Sequence, residues 1–380
     1  MNSLTSRDRV KRAVNHEPID RYPIDLGMHF STGISAFAYK NLREYLGLPA
    51  DEIELIDCTQ MLARVDEDII NRFHIDTILL NPPFEQRYRY TFYKPKPYEF
   101  IVPASFKPVR TDRGYEVVSE RGRMYMPDGA HFFDGAWPDF YQWDEDEKIE
   151  KFAARAERIY KETDKYTMLM GFSSFFYDLD FACDMLTDPE ACIDANKAAL
   201  KRQIEYFDKV NAKMGAYINC IEVNGDLGTQ NDLMCTPDSY ERICYPFLKE
   251  FCSRMHETSD LKIFLHSCGA IYKALPYIAD AGVDILNPVQ ISANLMDPVK
   301  LKREFGGKLC FWGGGCDTQR ILGAGDAGRV KENVRCLTGV FKENSGFVFN
   351  QVHNIMADVP PENIVAMLDT AYENSFYDNK

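Results

Sequence analysis

The fold class the sequence predicts is α/β, an eight-stranded (β/α)8 TIM barrel, and three observations predict it. From residue 146 onward, short apolar runs alternate with amphipathic helical patterns, the signature of parallel strands joined by helices. Two earlier apolar runs added to the six later ones bring the strand total to eight, each followed by a helix. At 380 residues the chain is long enough to hold such a barrel as one unit.

Taken in order, residues 4–15 carry Leu4, Val10 and Val14 among charges, an amphipathic opening helix, and Glu17 to Pro23 reads as a turn. Ile24 to His29 is the first expected strand. Helical patterns follow at 36–46 and about 60–73, and Asp76 to Asn81 is the second strand, closed by Pro82 and Pro83. Between 85 and 140 the character shifts to Tyr, Phe and Pro, and Tyr115 to Tyr125 alternates in hairpin fashion around Arg121 and Gly122. That stretch is expected to be an antiparallel insertion in a single domain spanning 1–380, covering one mouth of the barrel or packed as an edge.

Helix 146–163 then leads to strand 166–171. Asp188 and Pro189 open a long helix whose Leu200, Ile204, Phe207, Val210 and Met214 form a buried stripe, with Gly215 as its stop. The expected order continues with strand 216–223, helix 237–259, strand 262–268, helix 270–281, strand 283–289, helix 297–305, strand 308–313, helix 327–343, strand 346–352 and helix 360–374. Thr236-Pro237 and Asp297-Pro298 repeat the cap-plus-proline opening.

Composition excludes several classes. The formal net charge of -14 repels phosphate backbones and anionic membrane surfaces, so neither nucleic acid nor membrane is an expected partner. Met1 to Asp20 lacks an apolar core, and no run approaches the roughly 20 apolar residues that span a bilayer. A cytoplasmic protein is expected. Its 11 irregularly spaced cysteines then read as reduced thiols rather than a disulfide framework.

Chemistry in a barrel of this kind collects at the C-terminal ends of the strands. Those ends carry Asp25 and His29; Asn81; Glu222, Asn224 and Asp226; His266 and Cys268; Asn287 and Gln290; Cys316, Asp317 and Gln319; and Asn350, His353 and Asn354. A lone His-x-Cys is more often a core thiol beside a hydrogen-bonded histidine. Here, polar groups recur at every late strand end. On an extended backbone His266 and Cys268 point to one side, and with Cys316 they make an expected three-ligand zinc site with an open fourth position. The flexible Gly313-Gly314-Gly315 corner can bring Cys316 inward, while His353 and Glu222 are rival third donors.

Jointly, His266-Ser267-Cys268-Gly269, Gly282 to Gln290, Gly313 to Gln319, and His353-Asn354 with Asp358 to Ile364 resemble the uroporphyrinogen decarboxylase superfamily, over nearly the whole chain from Arg7 onward. Its true decarboxylases carry an arginine-rich segment that grips substrate carboxylates, where this chain has Tyr22 to His29 without arginine. The His-x-Cys pair instead resembles the zinc-dependent, corrinoid-linked methyltransferases. In their thiol-methylating members a cysteine follows the last strand, where this chain has His353. Gly-Gly-Gly-x-Asp-Thr-Gln and His-Asn-Ile look more like methyltransferase I of O-demethylase systems.

The resemblance implies zinc, an aryl methyl ether as donor, and cobalamin carried by a partner corrinoid protein; the expected zinc ligands are His266, Cys268 and Cys316, with His353 at the position where the thiol-methylating members place their third ligand. Glu222 and Asp226 are the expected catalytic carboxylates, orienting a ligand or carrying a proton. Asp25, His29, Asn224, Asn287, Gln290 and His353 are the expected substrate-binding groups. Aromatic residues of 85–140 and Phe172 to Tyr177 are expected to sandwich the ring. Three alternatives remain at this level: a methylcobalamin:thiol methyltransferase, a decarboxylase of a smaller acid with Asp25 handling the proton, and a non-catalytic zinc-stabilised barrel. A homodimer is plausible for the fold.

Overall fold

The computed structural model describes residues 4–94, 96–135 and 140–377. Its central sheet has six parallel strands, Met168–Ser173, Cys220–Asn224, Lys262–His266, Ile285–Asn287, Cys310–Trp312 and Phe347–Val348, each hydrogen-bonded to the next in chain order. Parallel neighbours need long crossovers. Helices supply them, among them Pro189–Met214, Tyr245–Thr258, Leu275–Ala281, Pro298–Phe305 and Ala327–Phe341.

The caps expected from sequence form. Asp188 accepts from the Ala191 N–H, Thr236 from Ser239 and Asp297 from Lys300, each at the start of a helix whose first or second residue is proline. The helix expected at 237–259 is broken into Pro237–Ile243 and Tyr245–Thr258, because Pro246 cannot donate into a continuous ladder. Of the helix expected at about 60–73 only Glu67–Arg72 is helical, and Leu62–Ala63 is extended, pairing with Leu55–Asp57.

The two early strands are shorter than expected. Ile24 makes a single parallel bridge to Phe349, and Thr77 one to Tyr166. The Asp25 N–H donates to Phe349 O, Asp76 to Ile24 O and Ile78 to Tyr166 O. These contacts run from the last regular strand back to the first without forming two full ladders. The chain leaves the sheet at Gly27, whose φ of +84° few side chains adopt.

Antiparallel hairpins occupy most of the expected insertion. Arg87–Tyr93 pairs with Pro97–Pro103, and Gly114–Ser119 with Gly122–Pro127. Positions 95 and 136–139 of the stretch lie outside the described residues. Most of its rings pack on one another: Phe92 and Phe100, for example, both meet Phe37 edge-on. Among the described residues, no helix is long and apolar enough to cross a membrane.

Side-chain alternation within the strands positions the site. Met168, Cys220, Phe264, Ile285, Cys310 and Val348 point the same way and form one apolar cluster with Trp312. Two residues further along three of those strands, on the same face, come Glu222, His266 and Asn287. An apolar layer thus supports a polar one at the C-terminal end of the sheet.

Candidate metal centre and active-site cavity

His266 is the last residue of its strand, and Cys268 follows two residues beyond it, after Ser267. The turn behind them needs glycine. Gly269 has φ of +95°, and a Cβ there would lie 2.2 Å from Gly228 O. Gln290 accepts the Gly269 N–H at 2.7 Å and Asp226 accepts the Cys268 N–H at 2.7 Å, so the corner is held from both sides.

Three ligand atoms converge here. Those of His266, Cys268 and His353 lie within 4.8 Å of one another. His266 Nε2 and Cys268 Sγ are 3.5 Å apart, the edge expected of a tetrahedron with bonds of about 2.0–2.3 Å. The network also sets the tautomer. Asn287 Nδ2 donates to Trp312 O at 2.9 Å, which turns its Oδ1 toward His266 Nδ1 at 2.8 Å. Nδ1 therefore carries the hydrogen, and Nε2 keeps its lone pair for an ion.

Electrostatics agree with that role. Burial lowers the His266 pKa, helped by neighbouring His29. Burial, with His266 beside it, pushes His353 down to about 4. Both imidazoles are neutral donors at neutral pH. Burial and the Asp226 charge raise the Cys268 thiol. A bound cation is the ordinary means of holding such a thiol as thiolate. Two imidazoles and one thiol are a donor set for zinc, and the residues present fit it.

A second pair lies beside the first. Ser31 N–H donates to His29 Nδ1 at 3.1 Å, which leaves His29 Nε2–H to donate to Glu222 Oε1 at 3.0 Å. Burial would raise the Glu222 carboxyl. The His29 hydrogen bond, the two imidazoles and the Gly171 N–H at 2.8 Å outweigh it and hold the group below its ordinary value. A register irregularity between Ile221 and Val223 faces the Met170–Gly171 segment, which frees that N–H for the carboxylate. Ser31 Oγ, 2.7 Å from His29 Nδ1 and 2.8 Å from Asn287 Oδ1, links this pair to the His266 support.

Both clusters open on one cavity of about 550 Å³, a size suited to a small molecule. His29, Glu222, Asn224, Asp226, His266 and His353 line it, as expected from sequence. Ser31, Asp57, Gln60 and Lys148 line it as well and were not anticipated, because they come from turns, a helix and the short strand Leu55–Asp57, which the apolar pattern does not mark. Phe30, Phe84, Phe140, Tyr141 and Phe152 form an apolar wall. The Tyr141 and Phe84 rings lie tilted against each other, their centroids 4.8 Å apart.

Several expectations are corrected. Cys316 does not join the converging ligand atoms and is fully buried in the main core. Its glycine run serves close packing instead, since a Cβ on Gly315 would come within 2.5 Å of the Phe349 ring. Asp25 has no surface on the cavity. It is wholly buried, accepting from Thr77 Oγ1 at 2.6 Å and Trp312 Nε1 at 2.8 Å. Asn287 and Gln290 act on His266 and Gly269 rather than lining the cavity. Phe172, Phe175 and Phe176 are core, and Tyr177 donates to Asn196.

Comparison with known proteins gives two findings. A family model described as uroporphyrinogen decarboxylase (URO-D) matches residues 167–374. A solved methyltransferase from Methanosarcina mazei is similar over 98% of this chain and 99% of that one, with a TM-score of 0.60 and 16% sequence identity. At that identity the likeness is one of fold.

Proposed function

The chain belongs to the uroporphyrinogen decarboxylase family, and from that premise we propose that it is a single-domain, zinc-dependent methyltransferase taking a methyl group from a methoxylated aromatic compound. The observation that carries this reading is the convergence of His266, Cys268 and His353 on a cavity walled by aromatic rings. The metal, when bound, supplies Lewis-acid stabilisation of the oxygen that loses its methyl group, and the acceptor is reduced cobalamin on a partner corrinoid protein.

The chain's own work is positioning. Asn287 fixes the His266 ring, and Asp226 fixes the Cys268 backbone. Phe84, Phe140 and Tyr141 hold the ring of the ether and exclude water. His29 Nε2–H donates to Glu222, and this pair fixes the polar side of the cavity facing the ether. The decarboxylase alternative loses its proton-handling group, since Asp25 has no access to the cavity.

Metal analysis and turnover test the proposal together. One zinc per chain is expected in the wild type, lost in both Cys268→Ala and His353→Ala, with methyl transfer from a methoxybenzene to cob(I)alamin lost in the same variants. Full zinc or undiminished transfer in either variant would remove the metal mechanism.

A further inference from the structure

Away from the active-site cavity, the fold withdraws one arginine from water without giving it a counter-charge. Arg155 lies on the helix Glu145–Glu162, three residues after Phe152, and lines a separate small cavity of about 40 Å³ with Arg64, Leu26, Val65, Ile78 and Leu79. Its Nε is sealed from solvent and has no hydrogen-bond partner, and its guanidinium meets no carboxylate or carbonyl among the described residues. Other buried arginines are compensated. Arg9 and Arg21 pair with Asp76 at 2.7 and 2.8 Å, and Arg43 with Asp66 and Asp68 at 3.0 and 2.8 Å. Arg64 pairs with Glu54 at 2.9 Å and donates to the carbonyls of Asn81 and Pro82 at 3.0 and 3.4 Å. The acids nearest Arg155 do not serve it: Glu162 is exposed, and Glu54 is also taken by the Phe84 N–H and by Arg87. Two guanidinium groups therefore face one cavity that no carboxylate lines.

A guanidinium does not escape burial by losing its proton. Burial, with Arg64 and Arg158 beside it, lowers the Arg155 pKa to about 10, which leaves the group charged at neutral pH. A charge taken from water is retained where an opposite charge or a set of hydrogen bonds replaces the lost solvation. A cavity of this size admits a water or a monatomic anion and excludes a phosphate or an organic acid. Water is neutral, so only the anion offsets both arginines. We infer that a halide ion, chloride under ordinary conditions, binds between Arg155 and Arg64 and pins the helix Glu145–Glu162 to the segment 77–79. That helix contributes Phe152 to the active-site cavity and Arg155 to the halide cavity, so the ion holds part of the aromatic wall from behind.

Melting curves of the full-length protein in potassium chloride and in potassium gluconate of equal ionic strength test the site, because gluconate is too large to enter. Chloride is expected to raise the wild-type melting temperature by about 1–3 °C over gluconate, saturating by about 0.1 M. Arg155→Met should abolish that difference. Arg158→Met, which removes an exposed arginine one turn away, should keep it, since general salt effects act alike on all three proteins. The chloride NMR line should also broaden in the presence of wild-type protein and sharpen again when bromide is added, a reading that does not depend on how well the variant folds. Absence of both effects in the wild type would leave water alone in the cavity and overturn the inference, as would a chloride effect undiminished in Arg155→Met.

Discussion

At the scale of single residues, chemistry and packing assign different tasks to side chains that look alike in the sequence. Cys268 and Cys316 both follow strands, yet one faces the cavity imidazoles and the other is sealed in the core. Cys316→Ala should therefore leave metal content as in the wild type and lose about 1–2 kcal/mol of stability, measured by denaturant titration beside metal analysis. Asn287→Ala removes the acceptor that orients His266, and its zinc affinity should fall about 10- to 100-fold in a competition titration with a chromophoric chelator. Asp25→Asn provides the contrast. It weakens buried hydrogen bonds and should cost about 1–3 kcal/mol, with ligand binding unchanged; a shift in ligand affinity would restore Asp25 to the site.

At the scale of elements, the strand Lys262–His266 carries the site at one end and is anchored at the other. Asp284 accepts from the Ile263 N–H at 2.9 Å and pairs with Lys262 at 3.1 Å and His256 at 3.0 Å. Burial would raise its carboxyl, but the His256 hydrogen bond and the Lys262 charge outweigh it, so the group is depressed. A depressed carboxyl contributes stability that is complete above its unfolded value, about 3.9, and is lost as pH falls through the lower folded value. Asp284→Asn should thus be less stable than wild type by about 1–2 kcal/mol at neutral pH. The difference should shrink progressively as pH falls below about 4. Denaturant curves for both proteins across that range decide it, and a gap undiminished at pH 2 would refute the assignment.

At the scale of the whole molecule, the centre is mounted on a large prebuilt core. Its candidate ligands come from the ends of two strands that are already packed, His266 and Cys268 from one and His353 beyond the other, with an apolar layer of Phe264, Ile285 and Cys310 beneath. On the zinc reading, removing the metal with a chelator should lower the melting temperature, by an amount that grows with the logarithm of metal affinity, and leave far-ultraviolet circular dichroism unchanged. Loss of secondary structure would instead make the metal part of the fold. Periodicity, proline-led caps and the polar strand ends determined the parallel α/β architecture and the His266–Cys268 pair, because alternation along a strand and capping at a helix start are local properties. Only the tertiary structure decided that His353 rather than Cys316 lies beside His266 and Cys268, that Asp25 is buried, and that Lys148 and the rings of Phe84, Phe140 and Phe152 share the cavity. Those outcomes depend on how residues distant in the chain approach one another, and on which backbone a glycine lets pass, for which a linear pattern holds no distance.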